Sequence, residues 1–148
     1  MFFLKELPDR KTLETYQQRF PEMHLENVEA ALTMLKQASV LMRELDNYFA
    51  SHDLSQLRYL IMVVLDREQK KQGLMASEIA ERLDVSRPVM TRTLQNLLAE
   101  KLLETDEHGE DKRAKLISLT ARGRKKLHQV LPGYYRLIDQ FMREQQAT

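Results

Sequence analysis

The sequence predicts a mainly α-helical fold with one small β-hairpin, and three observations carry that prediction. Apolar residues recur at helical spacing over most of the chain. Two short amphipathic segments meet across a tight turn between Ser77 and Glu100, and only between Leu102 and Leu119 does the period change to alternation. At 148 residues the chain is about one domain long and can bury a core without disulfides. Its 43% hydrophobic and 30% charged residues describe a globular chain rather than a disordered one. The absence of Cys excludes disulfide scaffolds, thiolate zinc sites, iron–sulfur clusters and cysteine redox switches. A net charge of +1 does not advertise a nucleic-acid partner, so any partner must be argued from where the charges sit.

Taken in order, Asp9 to Phe20 reads as a short helix with Leu13, Tyr16 and Phe20 on one side and Pro21 as its stop. His24 to Ser51 is a long amphipathic helix. Its stripe (Leu25, Val28, Leu32, Leu35, Met42), broadened by Leu41, Leu45 and Phe49, is wide enough for two partners. Leu54 to Asp66 is apolar on nearly all sides, as a buried central helix is, and begins either at Ser55 as N-cap or at an Asp53/Gln56 capping box. Met1 to Leu4 is apolar, but Lys5, Glu6 and Pro8 follow at once, so neither a signal-peptide core nor a membrane span is expected, and the protein is expected to be cytoplasmic.

Ser77 to Leu83 forms a short helix with Ile79, Ala80 and Leu83 inward, Asp84 and Val85 make the turn, and Ser86 is a strong N-cap for a second helix reaching Glu100. Pro88 falls in its first turn, where a missing N–H costs nothing, and Val85 can staple to Met90. Two helices so joined make a helix-turn-helix. Short strands follow at Leu102 to Thr105 and Ala114 to Leu119, separated by the polar run DEHGEDKR. Thr120 then caps a last helix whose wide apolar face includes Leu127, Tyr134, Ile138 and Phe141, with a kink rather than a stop expected at Pro132 and Gly133.

A helix-turn-helix followed by a hairpin is a winged helix-turn-helix. With that order of elements, the stretches Leu54 to Leu65, Ser77 to Leu103 and Asp111 to Gly123 resemble the MarR family of bacterial transcriptional regulators over about Leu25 to Met142. The most specific part is Asp111-x-Arg113 followed by Leu119-Thr120-x-x-Gly123. Three positions depart from the family pattern. Met75 stands where Thr or Ser is frequent, so that cap is lost or moves to Ser77. Asp84 stands where Gly is frequent, as a residue that tolerates left-handed geometry. Thr105 stands where a basic residue is common.

On the second helix of the motif, the residues able to enter a groove about 12 Å wide are Arg87, Met90, Thr91 and Arg92, with Gln95 a turn later. Arg pairs with guanine, Gln suits adenine, and Thr offers a methyl or hydroxyl. Ser86 at the helix start can also meet a phosphate. The resemblance implies that Arg113 reaches the minor groove, and the spacing lets Asp111 hold its guanidinium in place. Lys112 and Lys115 offset the acidic residues of the wing tip. The basic run Arg122, Arg124, Lys125 and Lys126 reads either as a solvated face or as a phosphate contact. His24, His52, His108 and His128 share no metal-ligand spacing, and no nucleophile motif or phosphate-cradling glycine loop is present, so neither a cofactor nor an enzyme is expected.

Excess apolar face on Leu25 to Phe49 and Tyr134 to Met142 points to a two-fold homodimer that would place two recognition helices about 34–36 Å apart on a pseudo-palindrome of double-stranded DNA. Residues 1–53 and 120–148 are thus the dimerisation region and 54–119 the DNA-binding lobe of one compact domain. The resemblance further implies a small aromatic or anionic effector, with Arg43, His52, Arg58, Tyr59 and Met62 as its candidate contacts. The function expected is a ligand-responsive repressor, against the alternative of a winged-helix protein-interaction module without DNA binding.

Overall fold

A computed structural model describes residues 2–68, 73–107 and 115–147. The order of elements is α1 (Arg10–Arg19), α2 (Leu25–Ser51), α3 (Gln56–Arg67), α4 (Ala76–Glu81), α5 (Arg87–Ala99), β1 (Leu103–Glu107), β2 (Lys115–Leu119) and α6 (Ala121–Gln146). The chain divides into two compact units, Met1–Leu45 and Asp46–Thr148, with the boundary inside α2.

In the first unit the Asp9 carboxylate accepts the Thr12 N–H at 2.8 Å and so starts α1. Leu13, Leu25 and Leu45 are buried, while Tyr16, Phe20, Met34, Leu35 and Met42 stay exposed. Arg10 reaches Glu29 on α2 at 3.6 Å, a surface pair that contributes little.

In the second unit α3 packs against α4, α5, α6 and β2, which is why its sequence is apolar on nearly every side. Of its two possible starts the structure uses Ser55, whose hydroxyl accepts the Arg58 N–H at 3.2 Å. Asp53 instead ends α2. It takes a left-handed φ of 55°, and the next N–H, of Leu54, returns to the Phe49 carbonyl at 2.8 Å. Lys101 repeats the device after α5 with φ 60°, its N–H bonding Leu98 and that of Leu102 bonding Leu97, both at 3.0 Å. These are the paired bonds of a Schellman cap, built at both places without glycine. Lys101→Gly is therefore expected to raise stability by about 0.5–1 kcal/mol, read as a higher midpoint in denaturant with unchanged slope. A lower midpoint would show that the lysine side chain supplies what the strained backbone costs.

Three local expectations are corrected around the turn between α4 and α5. Ser77 does not cap α4; Met75 holds the N-cap position, the helix begins at Ala76, and the Glu78 carboxylate accepts the Met75 N–H at 3.1 Å. Ser86 occupies the N-cap position of α5, but its side chain makes no capping hydrogen bond. Asp84 needs no left-handed geometry, because Asp53 and Lys101 are the non-glycine residues of positive φ among those described. The turn closes instead through the Val85 N–H to the Leu83 carbonyl at 3.1 Å, a three-residue turn open to ordinary residues.

β1 and β2 pair antiparallel with Leu103 opposite Leu119 and Glu107 opposite Lys115. Asp106 and Glu107, expected in the tip, thus belong to the ladder. An exposed two-stranded ladder propagates on backbone bonds from its anchored Leu103 end, whatever the polarity of the side chains. Leu74, just before α4, adds a bridge to Ile117, with N–H···O distances of 2.9 and 2.7 Å. At the start of α6 the Thr120 hydroxyl accepts the Gly123 N–H at 2.9 Å and donates to the Lys101 carbonyl at 2.7 Å. A Cβ at Gly123 would be driven into the Leu102 carbonyl, which explains why glycine follows Leu-Thr here at that spacing. α6 continues as one helix across Pro132. The Tyr48 hydroxyl donates to the Val130 carbonyl at 2.5 Å, and its ring lies where a side chain at Gly133 would stand.

Candidate nucleic-acid interface

The second helix of the motif, α5, is held by one face. Met90, Leu94 and Leu97 are buried, and this fixes which side chains the helix turns outward. Arg87, Thr91, Arg92 and Gln95 are exposed, in agreement with the face chosen from sequence. Met90 is not. At 3% exposure it lies in the core and lines, with Val85, Ala80 and Leu94, the wall of a depression of about 470 Å³ between α4 and α5. Its place four residues past the cap directs it inward, as a staple residue must be, so it cannot reach a base. Val89, one residue earlier, is the exposed apolar side chain of the first turn, and sequence reasoning passed over it. The burial of Met90 is the signal that would have found it. Among the described residues neither Arg87 nor Arg92 takes part in an ion pair, so both guanidinium groups keep their donors for a partner.

Ser86 is exposed at the head of the same helix, beside amide groups that carry the partial positive charge of a helix start. Of the expected wing contacts, Lys115 is exposed at the first position of β2, opposite Glu107. Asp111, Lys112 and Arg113 lie outside the described residues.

The candidate effector residues are distributed differently. Arg43 is exposed on the part of α2 that belongs to the first unit. In the second unit His52 is half-buried with its ring edge-on to Tyr48 at 4.8 Å. Arg58 donates to the Asp53 carbonyl at 2.9 Å and pairs with Glu100 at the end of α5, while its buried Nε has no partner. Tyr59 and Met62 are corrected from pocket walls to core. Met62 is fully buried, and Tyr59 is 4% exposed, stacked on Phe49 at 4.7 Å and tilted against Tyr134 at 4.8 Å. On a helix buried on nearly every side, apolar and aromatic spacing marks packing rather than a cavity.

Burial, followed by the nearby Tyr134 and Tyr135, pushes the Tyr59 phenol well above the ordinary tyrosine range. The folded chain therefore holds that proton more tightly than the unfolded chain does. The stabilisation is complete below about pH 10, the unfolded value, and is lost as pH rises beyond it. In an absorbance titration of phenolate, one of the five tyrosines is expected to ionise only when the chain unfolds. Five that titrate together before unfolding would remove Tyr59 from the dry core.

The order helix, turn, helix and paired strands, with an outward polar face on the second helix, defines a winged helix-turn-helix protein. Residues 52–114 match the MarR family. The chain is 28% identical over 139 residues to the HTH-type transcriptional repressor YetL of Bacillus subtilis, covering 94% of this chain and 83% of that protein. It shares its fold with Sco3205, a MarR family transcriptional regulator from Streptomyces coelicolor solved in complex with DNA, at a TM-score of 0.74 and 20% identity over 82% of this chain and 76% of that one. The Mycobacterium tuberculosis transcriptional regulator MosR, also solved in complex with DNA, superposes with a TM-score of 0.57 and 27% identity, over 80% and 81% of the two chains. The chain is thus similar to transcriptional regulators of the MarR family, a likeness that the family match carries over residues 52–114. Among the described residues no helix is long and apolar enough to cross a membrane.

Proposed function

We propose that this regulator is a repressor that binds double-stranded DNA as a homodimer on a pseudo-palindromic operator. The observation that carries the reading is the outward set Arg87, Thr91, Arg92 and Gln95 on one face of a helix whose other face is locked into the core. Bidentate and hydroxyl donors on a rigid helix are what base-edge recognition in a major groove requires. YetL is named a repressor, and both Sco3205 and MosR are solved with DNA. Ser86, Lys115 and the wing residues Asp111, Lys112 and Arg113 are assigned to the same interface.

The dimer rests on large apolar side chains exposed in the single chain, among them Met34 and Leu35 on α2 and Tyr135 and Met142 on α6. Large exposed residues spaced along helices suit a symmetric helical interface. Residues 1–53 and 120–148 would supply it, leaving 54–119 to meet DNA. A small effector completes the reading, with His52 and Arg58 of the second unit as its remaining candidate contacts.

Selection of bound duplexes from a random pool by the purified chain tests the proposal. Enrichment of a two-fold symmetric sequence, with affinity that falls steeply with salt, is expected. Failure to enrich any duplex would favour a protein-interaction module instead.

A further inference from the structure

The basic run at the start of α6 does not spread evenly over the surface. Arg122, Lys125 and Gln129 follow one another at three- and four-residue spacing, so they share a face, and Lys126 stands beside them. Together with His52 and Asp53 from the end of α2, this face lines a depression of about 440 Å³. Arg124, on a different side of the helix, turns away to Asp66 of α3 at 3.7 Å. Among the described residues Arg122, Lys125 and Lys126 take part in no ion pair, and Asp53 is the one carboxylate of the lining.

This arrangement is electrostatically unfavourable by itself. Like charges at helical spacing repel, and the first turns of a helix already carry a partial positive charge from their backbone amides. An anion with several acidic oxygens reverses both terms at once. Arginine offers it a fork of donors, and lysine a mobile point charge.

The place of the depression separates it from the reading face of α5. The thirteen residues of α5 set its two ends about 20 Å apart. Arg87 and Arg92 lie toward the first end, whereas the Lys101 carbonyl, past the second, is held by Thr120, the cap of α6. The lining is also tied to that far end. Asp53 holds Arg58 through its carbonyl at 2.9 Å, and Arg58 pairs with Glu100.

We propose that this cleft binds a phosphorylated small molecule, held by Arg122, Lys125 and Lys126 with His52 and Gln129 as further polar contacts, and that its occupancy acts on α5 through Asp53, Arg58 and Glu100. The consequence for DNA rests on the regulator reading above; the binding itself does not.

Pyrophosphate serves as the probe, titrated calorimetrically into the full chain at constant ionic strength without DNA. Saturable binding is expected, weakened about tenfold or more in Arg122→Gln and Lys125→Gln, as loss of a charge-assisted contact implies, and unchanged in Arg124→Gln. All three side chains are exposed, so the variants retain the fold. On a selected duplex, pyrophosphate should change the affinity of the parent chain and not that of Arg122→Gln. Absence of saturable binding, or binding that the two cleft variants leave unchanged, overturns the proposal. So does a loss of duplex affinity in those variants without pyrophosphate, which would make the cleft a contact for the DNA backbone. A chain that enriches no duplex still yields the calorimetric result, so failure of the regulator reading and failure of the cleft are told apart.

Discussion

Replacing Arg87 and Arg92 together with alanine is expected to weaken binding to the selected duplex by about 2–6 kcal/mol, counting about 1–3 kcal/mol for each arginine that reads a base. Both side chains are exposed on a helix held by its opposite face, so melting of the free protein should be nearly unchanged. The single variants sort the two roles. An arginine on a base edge loses discrimination at one operator position, whereas an arginine on phosphate weakens all duplexes alike and flattens the salt dependence by about one counterion. Retention of full affinity by the double variant would remove α5 from the interface.

Phe49→Ala is expected to cost about 3–5 kcal/mol of stability. The ring is fully buried and stacks on Tyr59 at 4.7 Å and Tyr134 at 5.8 Å, so one side chain joins α2, α3 and α6. Truncation leaves a cavity bounded by two other rings that are themselves held, Tyr59 by burial on α3 and Tyr134 by contact with both neighbours. Chemical denaturation at fixed chain concentration measures the loss, since dimerisation would shift the midpoint by mass action. A loss below about 1 kcal/mol would mean that the three helices close over the gap.

Much of the architecture was legible along the chain because it depends on short-range patterns. Asp9, Ser55 and Thr120 each accept the N–H of the third residue onward, and such bonds need nothing beyond a few residues of sequence. The change of period after Leu102 marked the paired strands, and the exposed face of α5 followed from its apolar residues. Single-residue features were hidden for physical reasons. Leu74 contributes one bridge, too little for any periodicity to register. Ser77 and Ser86 looked like caps, but Glu78 satisfies the amide at the start of α4, and the Ser86 hydroxyl does not turn back onto α5.

The candidate site divides along the same line. Arg87, Thr91, Arg92 and Gln95 could be chosen from helical spacing, whereas the removal of Met90 and the appearance of Val89 required knowing which way the first turn of α5 leans. Tyr59 and Met62 needed their neighbours, since an aromatic or methionine stripe on a buried helix is the same in sequence whether it lines a cavity or fills one.

The amino-acid sequence alone determined the order of elements, the helix-turn-helix with its paired strands, and the family resemblance, because periodicity, caps and a spaced signature are local and one-dimensional. Only the tertiary structure decided which residues of those elements face outward, and that the basic run of α6 meets His52 and Asp53 in one cleft. Burial and convergence depend on residues far apart in the chain, and no local pattern encodes where α6 packs.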